Sequence, residues 1–260
     1  MDKVTSSDGT AIAFDRYGAG PAVILVGGAF QHRAIDPQTA QLAKLLAGAF
    51  RVFHYDRRGR GDSGDTLPYA VEREVEDIAA LIEAAGEGVH VFGMSSGGAL
   101  GLEAAASGVP ITKLAIYEVP FSADERGRSA MEAYSQQLTK LLAGGQRGDA
   151  VALAMTTFGA PPEVVEGMRQ APVWAMFESV APTLAYDAAV MGDYSIPTER
   201  ATLVTVPTLV VDGGASPPMR EAADALAVAL PGAQRRTLEG QTHDVAPEVL
   251  APVLEEFFGT

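Results

Sequence analysis

Short apolar runs that alternate with segments of helical periodicity constrain this chain more than any other feature of its sequence. Candidate strands lie at residues 12–17, 22–26, 51–55, 89–92, 113–117, 208–211 and 235–238. Between them, Val71, Val75, Ile78 and Ile82 recur at helical spacing and the pattern stops at Gly86. Asp36 before Pro37 reads as an N-cap and first helical residue, with Gly48 as the stop. Pro247 opens a last helix that reaches about Phe258. Strands and helices in alternation call for an α/β fold, a mostly parallel central sheet flanked by helices.

The alternation breaks once. Residues 121–200 show helical patterns near 128–142, 149–158, 162–168 and 173–191 and no convincing strand; alternation resumes at Val206-Pro207. The expected organisation is a core in two parts, residues 1–120 and 201–260, interrupted by a helical cap over residues 121–200. A chain of 260 residues has room for that as one large domain with an insertion.

The motif with the most chemistry is GMSSG, Gly93 to Gly97, between an expected strand (VHVF) and an expected helix (GGALGLEAAA). It fits G-x-S-x-G, in which a serine sits on a sharp, strained strand-to-helix turn. Residues two away on either side must then be almost free of side chain. That selects Ser95, flanked by Gly93 and Gly97; centring on Ser96 would put Met94 in one of those places. A serine so placed needs a base, and His243 lies in a loop after the last expected strand, where the order Ser…acid…His requires it. Of the other histidines, His54 and His90 fall on expected strands and read as buried and hydrogen-bonded, and His32 is a candidate pocket residue.

With these residues in view, the chain resembles the α/β-hydrolase fold family over nearly its whole length outside the cap. VILVGGAF resembles the strand and loop that supply one oxyanion N–H, although Gly27 stands where the family usually has histidine. YDRRGRGDSG resembles the loop after the next strand in many bacterial members, and GQTHDV resembles the loop of the catalytic histidine. The resemblance implies a serine hydrolase with Ser95 as nucleophile, His243 as base, and the N–H groups of Ser96 and Ala29 (or its neighbour Phe30) as the oxyanion hole.

The acid departs from the pattern. Its usual position, just after the strand at 208–211, aligns with Ser216, which cannot hold an imidazolium by charge. Asp212 ends that strand several residues early. Glu118 in LAIYEVPF closes the preceding strand, and some α/β-hydrolases, certain haloalkane dehalogenases and lipases among them, take their acid from that place. Adjacent strands are only about 5 Å apart, so a glutamate there can reach the same imidazole. Glu118 is the expected acid, with Asp212 or no acid at all as the alternatives.

Composition removes other classes. Without cysteine there is no thiolate nucleophile, disulfide or Cys-ligated metal, and the four scattered histidines form no metal-binding pattern, so no metal or cofactor is expected. The net charge of −14 argues against nucleic acid and mildly against anionic substrates. Gly59 to Gly64 matches the dinucleotide pattern G-x-G-x-x-G, but it leads into DTLPY and not into a helix. The N-terminus lacks the apolar stretch of a secretory signal, and no apolar run reaches the roughly 18 residues of a membrane span. A soluble, cytoplasmic protein with no membrane partner is expected. Cap residues Tyr134, Met155, Phe158, Trp174, Met176, Phe177 and Tyr186 would pack the cap and wall an apolar pocket. The expected reaction is hydrolysis of a carboxylic ester or lactone of a small apolar substrate. Other chemistry on the same fold (carbon–carbon hydrolysis, acyl transfer, a lyase or cyclase step) and a non-catalytic ligand-binding role are the alternatives.

Overall fold

The strand Ala22–Val26 is buried along its whole length, and its alternating side chains feed two separate cores. A computed structural model describes residues 1–259. Eight strands form one sheet: β1 (Asp2–Thr5), β2 (Ala11–Tyr17), β3 (Ala22–Val26), β4 (Arg51–Tyr55), β5 (His90–Met94), β6 (Lys113–Tyr117), β7 (Thr208–Gly214) and β8 (Gln234–Gln241). Their order is β1-β2-β4-β3-β5-β6-β7-β8. The two pairs involving β2 are antiparallel, and every pair from β4 to β8 is parallel.

On one face Ala22, Ile24 and Val26 of β3 pack with Ile78 and Leu81 of α2 (Val71–Ala85), Leu100 of α3 (Ser96–Ala106) and Leu226 of α10 (Pro217–Ala229). On the other, Val23 and Leu25 pack with Leu42 and Leu46 of α1 (Pro37–Leu46) and Leu250 and Leu254 of α11 (Pro247–Gly259). Each valine, leucine or isoleucine among them contributes roughly 1.5–3 kcal/mol by leaving water. The polar, half-exposed β8 closes one edge, as suits an edge that must not pair with other chains.

Asp36 caps α1, its Oδ1 accepting from Thr39 N at 3.0 Å, and α1 ends at Leu46, two residues before Gly48. The strand absent from the sequence expectation is β1, whose four mostly exposed residues carry no periodic signal and are extended because they pair with β2. The Gly59–Gly64 stretch is loop, and the next helix begins only at Val71.

Between β6 and β7 lie only helices: α4 (Glu125–Ala143), α5 (Arg147–Thr157), α6 (Pro162–Arg169), α7 (Trp174–Val180), a 3₁₀ turn (Ala181–Thr183), α8 (Leu184–Met191) and α9 (Thr198–Ala201). The helical pattern at 173–191 is thus divided, with Pro182, which has no N–H to give, in the 3₁₀ turn. Ser122 N donates to Tyr194 O at 2.7 Å, joining the two ends of this segment. Tyr134, Trp174 and Tyr186 are buried, whereas Phe158 and Met176 are exposed. Among the described residues no helix is long and apolar enough to cross a membrane.

Candidate active site

Four described non-glycine residues have positive φ, and three of them stand just beyond neighbouring strands: Phe30 after β3, Ser95 after β5 and Glu118 after β6. Backbone strain of this kind persists where the surrounding structure over-determines it, and it concentrates at functional sites. Ser95 has φ 54° and ψ −129° at the turn from β5 into α3. The turn is tight enough that a Cβ on Gly97 would run into the carbonyls of Val26 and Gly27. Ser95 N donates to Tyr117 O at 2.9 Å, which ties the serine to the residue before Glu118.

Glu118 is 2% exposed. Its Oε1 accepts from Gly213 N at 2.9 Å and its Oε2 lies 2.9 Å from His243 Nδ1. A carboxylate only accepts, so Nδ1 is the donor of this bond, and in the neutral imidazole the lone pair is then on Nε2. The imidazole is 43% exposed, so its outer edge is open to a reactant. Tyr117 holds the histidine loop as well: its phenol donates to Thr242 O at 2.6 Å. Burial and the nearby carboxylates of Glu118, Asp212 and Asp244 push that phenol well above its usual range, so it stays a donor. Neither Tyr117 nor Gly213 was singled out from the sequence, since their contacts join residues far apart in the chain.

Asp212 points elsewhere. It accepts from Thr237 Oγ1 at 2.8 Å and from Gly214 N at 2.7 Å, and it pairs with Arg235. Burial alone would raise its carboxyl, but Arg235 and Thr237 hold it below the usual carboxylate range. Ser216 precedes α10 and makes no side-chain capping bond.

Gly28 packs against the serine, since a Cβ there would stand 2.8 Å from Ser95 Cβ. Its N–H donates to Gln31 Oε1 at 2.5 Å. The Ala29, Phe30 and Ser96 N–H groups have no partner among the described residues. Phe30 reaches into the helical segment, its ring 5.5 Å from that of Phe177 at 86°. Behind the turn Ser96, Arg57, Arg60 and Asp187 are all buried; Asp187 accepts from the other three, and Arg57 also donates to Ser96 Oγ. Carboxylate partners explain how a basic loop comes to lie inside the protein: Arg57 pairs with Glu74 and Asp187, Arg58 with Asp77 and Asp8, and Arg60 with Asp187.

His32, His54 and His90 are buried, as the sequence suggested for the last two, but Nδ1 of each has no protein partner among the described residues. His90 stacks on Phe258, with centroids 4.9 Å apart at 9°. Among the described residues no cluster of His, Cys, Asp and Glu could hold a metal ion.

Residues 23–253 match a family model described as alpha/beta hydrolase family. An alpha/beta hydrolase from Sphaerobacter thermophilus DSM 20745 is 55% identical, covering 99% of this chain and 100% of that chain, with a TM-score of 0.88. A thermophilic esterase from Thermogutta terrifontis with malate bound is 25% identical, covering 99% of this chain and 97% of that chain, with a TM-score of 0.73. A hydrolase from Pseudomonas aeruginosa PA01, 23% identical over 100% of this chain and 98% of that chain, shares the fold with a TM-score of 0.78. No curated protein matches the chain.

Proposed function

We propose that this chain, which belongs to the alpha/beta hydrolase family, hydrolyses a carboxylic ester or lactone of a small, largely apolar substrate through an acyl-enzyme. Ser95 is the nucleophile, His243 the general base and Glu118 the acid that orients it. The observation that carries this reading is the double anchoring of Glu118: one oxygen is fixed by Gly213 N and the other is directed at His243 Nδ1. A carboxylate held at both oxygens keeps one tautomer of the imidazole and stabilises the imidazolium that forms.

In the reaction Ser95 Oγ attacks the carbonyl carbon as its proton passes to His243 Nε2. The oxyanion accepts from the Ala29 and Ser96 N–H groups. Collapse expels the alkoxide, which takes the proton from Nε2. A water then loses its proton to Nε2, attacks the acyl carbon and releases the acid and a restored Ser95. Only side chains, backbone donors and water take part. The helices over residues 121–200 form a cap, and Phe30 with Phe177 beside the oxyanion loop gives it an apolar wall suited to uncharged acyl groups. The likeness to an esterase supports the ester class.

Treatment with a fluorophosphonate, read by intact mass and peptide mapping, tests the reading. One adduct at Ser95, lost in Ser95→Ala, is expected, together with turnover of p-nitrophenyl butyrate. An unmodified wild-type protein would remove Ser95 as nucleophile.

A further inference from the structure

Asp187 of α8 is linked to both sides of the proposed oxyanion hole, directly to Ser96 and through Arg60 to Gly28. Its Oδ1 accepts from Ser96 Oγ at 2.7 Å and from Arg57 Nη1 at 2.7 Å. Its Oδ2 accepts from Arg60 Nη2 at 2.7 Å. Arg60 Nη1 in turn donates to Gly28 O at 2.5 Å, and Arg57 closes the cluster on Glu74 through two bonds of 2.7 Å. Burial alone would raise the Asp187 carboxyl, but Arg60, Arg57 and the Ser96 hydroxyl hold it below its usual range. Two cations meet two anions, so the cluster adds no net charge behind the site. Desolvating four ions is costly, and a buried ion pair is weak evidence for stability, so the cluster asks for another role.

The peptide geometry supplies one. In a trans peptide the C=O and N–H point in opposite directions. A guanidinium that holds Gly28 O therefore turns Ala29 N–H to the opposite side, on a loop already packed against Ser95. A charge-assisted bond at the oxygen also polarises the peptide and strengthens its N–H as a donor. On the other side, the Ser96 hydroxyl on Asp187 fixes the first residue of α3, whose N–H is the second donor. We infer that Asp187, Arg60 and the Ser96 hydroxyl are positioning residues that set both oxyanion donors from one carboxylate carried on α8. This rests on the serine-hydrolase reading above. Because α8 belongs to the helical segment between β6 and β7, the seat of that segment and the aim of the donors share one anchor.

The test compares Ser96→Ala, Ser96→Thr and Asp187→Asn with the wild type on p-nitrophenyl butyrate, separating kcat from KM and following thermal midpoints. A trifluoromethyl ketone, which adds Ser95 to form an oxyanion, is compared with its methyl ketone analogue, which binds as a ground state. Loss of a whole oxyanion donor costs about 10²–10³-fold in kcat, so loss of its support should cost about tenfold. Ser96→Ala should lower kcat by that factor, leave KM within about twofold, and weaken the trifluoromethyl ketone alone. Ser96→Thr, which keeps the hydroxyl, should restore activity. Asp187→Asn leaves the cluster with an excess positive charge, so a purely electrostatic role would raise kcat, whereas positioning lowers it. If Asp187→Asn does not fold, Ser96→Ala decides. A folded Ser96→Ala with wild-type kcat and unchanged ketone affinities overturns this inference while the wild type still labels at Ser95. A wild type that neither labels nor turns over overturns both.

Discussion

Glu118 Oε2 lies 2.9 Å from His243 Nδ1, while Asp212 on the adjacent strand is engaged by Arg235 and Thr237. The pleat separates them. Leu209 and Val211 of β7 face α1 and α11, so Val210 and Asp212 face the side of α10. Glu118→Gln should lower kcat by about 10³–10⁴-fold, because a neutral amide no longer favours the productive tautomer or the imidazolium. Asp212→Asn should leave kcat within about threefold and cost about 1–2 kcal/mol of stability by removing the buried charge that pairs with Arg235, which keeps Asp224 as a partner. Fluorophosphonate labelling rates and urea unfolding of both variants check the pair; a crippled Asp212→Asn beside an active Glu118→Gln would reverse the assignment.

The phenol of Tyr117 holds Thr242 O, one residue before His243. Tyr117→Phe keeps the buried ring and removes that bond. The histidine loop then has one restraint fewer, and kcat should fall about three- to tenfold with KM little changed, since a misplaced base costs rate more than binding. Steady-state kinetics read the split; equal loss in both parameters, or none, would count against a positioning role.

Strain at Ser95 should be measurable as stability. With φ 54° and ψ −129° the residue occupies a region that glycine enters freely and alanine does not. Ser95→Gly should therefore be more stable than Ser95→Ala by about 1–2 kcal/mol, and both should be inactive. Denaturant midpoints decide it, and equal stability would mean that the turn is unstrained in solution.

Acid should weaken the protein before its carboxylates titrate. Burial, and then the Lys113 ammonium, lowers the His90 imidazole from 6.5 to about 4, and burial lowers His32 and His54 in the same direction. The unfolded chain takes up these protons near pH 6.5, whereas folded His90 does so only near pH 4. Stability is therefore fully present above 6.5 and falls as the pH drops toward 4, by about 3 kcal/mol for His90. His90→Phe, which retains the stack on Phe258, should remove that share of the acid-side slope. Urea unfolding at pH 7.5 and 4.5 tests this; an unchanged difference between the two pH values would sink it.

Much of the architecture was legible in the chain itself because it follows from local rules. Unbroken apolar runs bury on two faces, as in β3, and Val71–Ala85 shows its helix by periodicity. The turn at Ser95 announces itself through two glycines: Gly93 is demanded locally, by the closeness of Gly97 and Gly98, whereas Gly97 is demanded by the carbonyls of Val26 and Gly27 beyond it. Long-range pairing was not legible. β1 is extended only because β2 lies beside it, and Arg57 meets an aspartate 130 residues away. Glu118 follows β6 and Asp212 lies near the end of the neighbouring β7, and spacing along the chain does not say which of them faces the histidine. That choice belongs to the sheet: pairing Tyr117 with Val211 fixes the register, the pleat turns Asp212 to the α10 side, and a positive φ at Glu118 leads its carboxylate out of the strand to Gly213 and His243.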